Sequence, residues 1–436
     1  MLRKIVRFAL RNPQMHAALR RVYLACTPSA GVESGLQVSV PEASPIFARK
    51  SSLSGLRLNL VVPALSTRHV FGGISTALHF FQEMAVHFED VRIVVTDEMA
   101  FAGSDNPDFA DWTILSLTDN DHAGKTIVSA GDRSKHTLAL RENDVFIATA
   151  WWTASAIKKL LAQRKAFWPG CSEGKFVYLI QDYEPGFYPW SSRYALAEAS
   201  YHDGRDCVAV FNTSFLQDYF DAKGYEFNNK FVFEPVLNKS LRPFLLACPH
   251  KARERTILVY GRPSVSRNCF ELIVMALRDV VSTTDCRGWT FCSAGEAHPN
   301  IDLGKGFSLK SLGKLSIDEY GAQLQKTFAG ISLMVSPHPS YPPLEMAAFG
   351  INVLTNGYDE KNLSSLSDNI HSVDYLSTES LSGKVISIME RYSSDAYGHL
   401  PQAPYFQKFR EVENPFGHII AALVGDIKTS GYKSGV

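Results

Sequence analysis

The sequence predicts an α/β protein built of two consecutive doubly wound domains that face each other across a cleft. Three observations carry that expectation. The chain has 436 residues with 45% hydrophobic content, enough for two cores of ordinary size. It contains short β-branched runs that are apolar almost throughout, as parallel strands covered on both faces require. Between those runs fall stretches of helical periodicity, and such alternation implies a doubly wound sheet.

The first series of strands reads RLNLVVPAL (57–65), VRIVVTD (91–97), WTILSL (112–117), DVFIATA (144–150), KFVYLIQD (175–182) and DCVAVFNT (206–213), with helices over 73–88, 152–164, 191–201 and 214–223. A second series begins at RTILVYGR (255–262) and continues through a helix at 268–282, WTFCSAGE (289–296), a helix at 316–328 and GISLMVS (330–336). Prolines and charges interrupt the apolar period over 234–255, which places the join there. The expected organisation is a basic helical segment and linker (1–54), a first Rossmann-like domain (55–240), a second (241–400) and a helical C-terminal extension (401–436). In such sheets ligands bind beyond the carboxyl ends of the strands, so residues that directly follow strands are the candidates for function.

Forty-four basic and forty-four acidic residues cancel, so no global field recruits nucleic acid. The exception is local: residues 1–25 hold Arg3, Lys4, Arg7, Arg11, Arg20 and Arg21 with no acid. That stretch suits either peripheral contact with an anionic membrane face or a helix packed on its own protein with a solvated basic side. The seven cysteines show no metal-ligand spacing and read as reduced thiols, and no run approaches the ~20 apolar residues of a membrane span, so a cytoplasmic location is expected.

Five constellations stand where ligands are expected. Gly72 and Gly73 precede an amphipathic helix, where bare backbone amides and a helix N-terminus favour an anion; a tight turn accounts for the same residues. Arg262 follows a strand at once and Arg267 lies near the next helix start, a pattern that suits a diphosphate clamp or ordinary surface ion pairs. Lys314 stands just outside a helix predicted to open with a Ser316/Glu319 capping box. In SPHPSYPPLEMAAFG (336–350), Pro342 and Pro343 suit the first turn of a helix, which puts Glu345 in that turn beside Tyr341. Asp182 and Glu184 follow a strand among Tyr183, Phe187, Tyr188 and Trp190, as a sugar site or an aromatic inter-lobe contact would require. Trp151 and Trp152 are sugar platforms or packing, His69, His298 and His338 lie in loops as lone histidines, and Asp119–Asp121 is a weak match to an acidic metal pair.

Taken together, FGGISTAL, YGRPSVSRN and SPHPSYPPLEMAAFG resemble the retaining GT-B glycosyltransferases of the family-4 type, and within them the WsaF-type rhamnosyltransferases, over fragments of residues 56–400. The resemblance implies a GT-B fold and transfer of L-rhamnose, with retention and without a metal or other cofactor, from dTDP-β-L-rhamnose to a glycan or lipid-linked glycan of the bacterial surface. It implies that Arg262 and Lys314 hold the donor diphosphate, that Arg267 takes the place of a second family cation, and that Glu345 contacts the nucleotide ribose. Gly72, Gly73 and Tyr341 would complete the donor site, with Asp182, Glu184 and Tyr188 on the acceptor side. The family's first glutamate is absent, since Pro337 occupies its position. A nucleotide-sugar epimerase or hydrolase on the same scaffold, and a non-catalytic nucleotide-sugar-binding module, fit the same residues.

Overall fold

Strands that are apolar on both faces must be covered on both faces, and helices do this in the computed structural model, which describes residues 39–67, 72–171, 174–202, 204–247 and 252–430. Residues 1–43 form a unit of their own, of which a single helical turn at Pro41–Ala43 is described; everything below belongs to the unit from Ser44 onward. The basic stretch at residues 1–25, Cys26, His69 and Cys248 lie outside the described residues.

The N-terminal lobe runs β1 (Ala48–Lys50), β2 (Arg57–Val62), α1 (Gly72–Ala85), β3 (Asp90–Val95), β4 (Thr113–Ser116), β5 (Lys125–Ser129), β6 (Leu138–Leu140), β7 (Asp144–Ala148), α2 (Trp151–Phe167), β8 (Phe176–Ile180), α3 (Ser192–Ala199), β9 (Cys207–Asn212), α4 (Ser214–Ala222) and β10 (Asn229–Phe233). Eight of these strands form one parallel sheet in the order β10-β9-β8-β7-β2-β3-β5-β4. Its centre is wholly apolar where it must be: Leu60 of β2 stands beside Ile93 of β3 and Ile147 of β7, all fully buried.

The C-terminal lobe follows a short α5 (Arg242–Leu246) with β11 (Glu254–Gly261), α6 (Phe270–Thr283), β12 (Thr290–Gly295), β13 (Ile301–Gly304), β14 (Phe307–Gly313), α7 (Ile317–Lys326), β15 (Thr327–Ile331), α8 (Tyr341–Ala348), β16 (Asn352–Asn356), β17 (Ile370–Val373) and α9 (Thr378–Arg391). Its sheet has the order β13-β14-β12-β11-β15-β16-β17, parallel except for the β13–β14 hairpin. Two last helices, α10 (Pro404–Glu411) and α11 (Gly417–Ser430), return the chain to the first lobe, where Phe416, Ile419, Ile420 and Leu423 join the core of β2, β3 and α1. No described helix is long and apolar enough to cross a membrane.

The predicted strand at 330–336 lies too late in the chain. β15 ends at Ile331, and the segment that follows leaves the sheet because its amides find other partners. Met334 N–H donates to Asn356 Oδ1 (2.8 Å) and Val335 N–H to the Arg267 carbonyl (2.8 Å). Residues 332–340 are therefore loop, and that loop proves central.

At the amino ends of the central strands of the first sheet, Asp121 of the Asp119–Asp121 stretch joins an ionic network. Asp121 pairs with Arg57 and with Arg141 (2.8 Å), and Asp144 accepts from Arg57 Nε (2.7 Å), Arg57 Nη2 (2.9 Å) and Asn59 Nδ2 (2.9 Å). Against the cost of burial, Arg57 and Arg141 hold the Asp121 carboxyl down at about 2. Burial and the neighbouring Arg57 push Arg92 down to about 9. Among the described residues no group of three or more His, Cys, Asp or Glu is placed to hold a metal ion.

Asp144→Ala should lower the unfolding free energy by about 3–5 kcal/mol, because it strands buried guanidinium groups without a counter-ion. Urea denaturation reads this directly, and a loss below about 1 kcal/mol would contradict the buried network. Asp121, depressed below an unfolded value of about 3.9, stabilises above that pH and loses its contribution as pH falls toward 2. Acid unfolding of Asp121→Asn should accordingly be shallower than that of the native chain.

Candidate active site

Each sheet has one place where successive loops part to opposite sides. In the first lobe it lies between β2 and β7, in the second between β11 and β15. Ligands of doubly wound sheets bind at such switch points. The loops there carry Gly72–Gly73 and Trp151 on one side of the cleft, and residues 262–269 and 332–340 on the other.

Arg262 is the first residue beyond β11 and is half-buried. Its aliphatic stem passes close to Gly295: a Cβ there would lie 3.2 Å from Arg262 Cγ and 2.7 Å from the Gly261 carbonyl oxygen, at φ +138°, so only glycine fits. Among the described residues no hydrogen bond or ion pair fixes the Arg262 guanidinium, although Glu296 feels its field. Lys314 is exposed one residue past β14. The capping box beyond it forms as expected: Ser316 Oγ accepts from Glu319 N–H (3.2 Å) and Glu319 Oε2 from Ser316 N–H (2.8 Å).

Arg267 takes a different course. Its guanidinium crosses to the first lobe, where Nε lies 3.8 Å from Asp182 Oδ2 and the group stacks 4.2 Å above the Phe187 ring. Asp182 is buried, and its Oδ1 accepts from Tyr183 N–H (2.8 Å) and from the Ser336 hydroxyl of the second lobe. Asp182, read from the sequence as an acceptor ligand, is thus engaged between the lobes. Glu184 accepts the first amide of α2, Trp151 N–H, at 2.5 Å. Burial pushes its carboxyl up to about 8, and the charge of Asp182 adds to the shift.

Tyr188 accepts from the Trp151 indole N–H (3.0 Å), the two rings meeting edge-on. Trp151 is fully buried, which makes it packing and excludes the sugar-platform reading; Trp152 is half-buried with its indole near Thr96. His298 is fixed by Ser293 and the Pro299 carbonyl and packs on Phe270.

Glu345 is the fifth residue of α8, just past the first turn in which the sequence reading puts it. Ser340, at φ 69°, turns the chain so that Tyr341 opens the helix, the prolines follow it, and no acid falls in the first turn. Glu345 Oε2 accepts from the Tyr320 hydroxyl of α7 (3.1 Å), and burial pushes the carboxyl up to about 7. The Tyr341 phenol is raised by burial, opposed by hydrogen bonds from Asn212 and Thr76 of the first lobe. On the first-lobe side, the Gly73 carbonyl accepts from Gln181 Nε2 (2.8 Å), which ties the start of α1 to the loop bearing Asp182.

Two members of this junction were not singled out as site residues in the sequence. His338 is buried in the 332–340 loop, with Nδ1 accepting from Ser340 N–H (3.0 Å); burial pushes its imidazole down to about 4. Lys361 is buried with Nζ donating to the Met334 carbonyl (2.7 Å), and burial lowers it to about 7, opposed by Asp182. Lys361 belongs to no motif, whereas the prolines around His338 were a signal of a rigid presentation.

Known proteins resemble the chain along both lobes. The WsaF N-terminal domain profile matches residues 57–214, and the WsaF C-terminal domain profile residues 255–386. The O-antigen biosynthesis protein RfbC of Myxococcus xanthus is 32% identical over 224 residues, 51% of this chain. The match spans only 16% of that relative's length. Among solved structures, sucrose-phosphate synthase of Thermosynechococcus elongatus superposes with a TM-score of 0.55 at 12% identity, covering 87% of this chain and all of that one. A glycosyltransferase of Rickettsia africae gives 0.50 at 14% identity, covering 88% of this chain and all of that one. At such identities the likeness speaks for the fold, a GT-B arrangement of two Rossmann-like domains.

The raised Glu184 carboxyl has a thermodynamic signature. A carboxyl at about 8 in the folded state and about 4.3 in the unfolded chain contributes stability below pH 4.3 that is lost as pH rises through 8. Melting temperature should therefore decline as pH rises from about 4 to about 8, and Glu184→Gln should flatten that decline. Parallel profiles for the two proteins would contradict the burial.

Proposed function

We propose that this chain, which belongs to the WsaF family, is a glycosyltransferase that moves L-rhamnose from dTDP-β-L-rhamnose onto a sugar acceptor in surface-polysaccharide assembly. Membership of the family extends over both lobes, and the name of the RfbC relative places that protein in O-antigen synthesis. The observation that carries the reading is Arg262: a cation with no ion-pair partner among the described residues, its stem close against Gly295 at the second lobe's switch point.

The chemistry such a site supplies is electrostatic. Transfer breaks the bond between the sugar's C1 and the diphosphate oxygen and forms one from C1 to the acceptor oxygen, while the acceptor's hydroxyl proton leaves with the released dTDP. Charge develops on the diphosphate, and cations fixed in a desolvated cleft stabilise it without reorganising. In this reading Arg262 and Lys314 hold the diphosphate and supply the charge that a metal would otherwise bring. Glu345, whose carboxyl is raised to about 7, meets a hydroxyl of the nucleotide's sugar, and Tyr341 closes the donor pocket against the first lobe. Gly72 and Gly73 approach the donor with bare backbone from the other side. The acceptor, a glycan or lipid-linked glycan, docks along the Glu184 and Tyr188 edge, attacking the face the nucleotide leaves so that configuration is retained. Arg267 is reserved for holding the lobes.

Incubating the protein with dTDP-β-L-rhamnose and rhamnose-containing acceptor fragments should yield a new disaccharide bond detectable by mass. Arg262→Ala should slow acceptor-dependent release of dTDP by about a hundredfold with little change in melting temperature. Lys314→Ala should act in the same direction. Unchanged turnover in both variants would remove the diphosphate clamp, and donor consumption without any acceptor would favour a hydrolase or epimerase.

A further inference from the structure

We propose that His338 is the residue through which the second lobe recognises the transferred sugar, its Nε2–H donating to a sugar hydroxyl. The inference rests on the reading above that the cleft takes a nucleotide sugar, and it names a contact which that reading leaves open.

Four features of the loop converge on this imidazole. His338 lies between Pro337 and Pro339, so its flanking backbone has two fixed φ angles. The residue after Pro339 is Ser340 at φ 69°, a conformation that costs a non-glycine residue energy and persists where the surroundings impose it. That turn aims the Ser340 amide at His338 Nδ1 (3.0 Å), while His338 N–H donates to Ser336 Oγ (3.1 Å). Since Nδ1 accepts, the ring proton resides on Nε2.

That Nε2–H then has no acceptor among the described residues, although the ring is only 6% exposed. The charged groups that face it do not supply one. Asp182 is engaged by Tyr183, Ser336 and Arg267, Lys361 donates to the Met334 carbonyl, and Arg267 lies on Phe187. A buried donor left unpaired costs about as much as a lost hydrogen bond, and native proteins keep few of them. Here the orphan stands on the loop after β15, at the switch point, next to the helix that carries Tyr341 and Glu345.

The chemistry of the orphan selects its partner. Burial keeps the ring neutral near pH 7, so it offers a directed donor without a charge. The diphosphate is already served by cations, whereas a sugar hydroxyl is a neutral acceptor of matching strength. Because the ring is covered at the lobe junction, the donor reaches it as the lobes part, and closure then seals the contact from water.

His338→Phe and His338→Gln test the assignment, using dTDP alone, dTDP-β-L-rhamnose and an acceptor fragment. His338→Phe should slow transfer about ten- to hundredfold and weaken the full donor. Affinity for dTDP and melting temperature should hold or rise, since a stranded donor has been removed. His338→Gln, whose amide N–H falls near Nε2, should recover part of the rate. Wild-type turnover by His338→Phe overturns the proposal. So does a matching loss of dTDP affinity, which moves the contact to the nucleotide, or a fall in melting temperature that tracks turnover in both variants. A native protein that is inert with every nucleotide sugar, by contrast, defeats the transferase reading itself.

Discussion

The cleft depends on one carboxylate. Asp182 hangs from the first lobe, yet its oxygens are satisfied largely by the second: the Ser336 hydroxyl on one and the Arg267 guanidinium beside the other. Shielded from water, such charge-assisted contacts gain strength, and the same shielding makes an unpaired carboxylate costly, so the group favours a closed junction. The contact also organises what lies around it. Ser336 Oγ accepts the His338 amide while donating to Asp182, and the Arg267 carbonyl accepts from Val335. The two loops of the second lobe's switch point are thereby tied to each other and to the opposite lobe through a single side chain.

Around that contact the fold provides stiffness. Each sheet is covered on both faces by its own apolar clusters, and the lobes are joined by two chain crossings. The first runs through Leu237, whose N–H donates to Phe409 of α10; the second carries α11 onto the first lobe's core. At the junction Tyr358 packs against Tyr219 and the first lobe's core, so aromatic area supplements the polar contacts. On the proposed reading, a nucleotide sugar entering between the lobes would have to loosen this polar and aromatic seam, and its own phosphate and hydroxyl contacts would replace what is lost. Binding and closure would then be one equilibrium.

Much of the architecture was legible because it is carried by local pattern. Strands β2, β3, β8 and β9 are buried runs with mostly apolar residues, and the helices between them keep their period. The Ser316 and Glu319 capping box, which requires only four residues, formed as read. Elements at the margins escaped because their residues are mixed: β10 reads NKFVF with an exposed start, and β14 carries Lys310 and serines in a partly exposed hairpin. The ionic network of Arg57, Asp121 and Asp144 was illegible in principle, since strand register brings together residues more than sixty positions apart. Within the site, position along the chain was readable and orientation was not. Arg262 and Arg267 follow the same strand, yet one has no ion-pair partner among the described residues and the other bridges the lobes. Glu345 falls just past the first turn of α8 because the helix opens at Tyr341, after a serine whose positive φ composition does not disclose.

On the proposed reading, a nucleotide diphosphate binds at the second lobe's switch point and pulls the junction together. Hydrogen exchange of the native chain with and without dTDP measures this most directly. Slowed exchange is expected in residues 262–269, 314–319 and 332–345, together with residues 181–188 across the junction. Protection confined to other surfaces, or an exchange pattern indifferent to the nucleotide at saturating concentration, would contradict it.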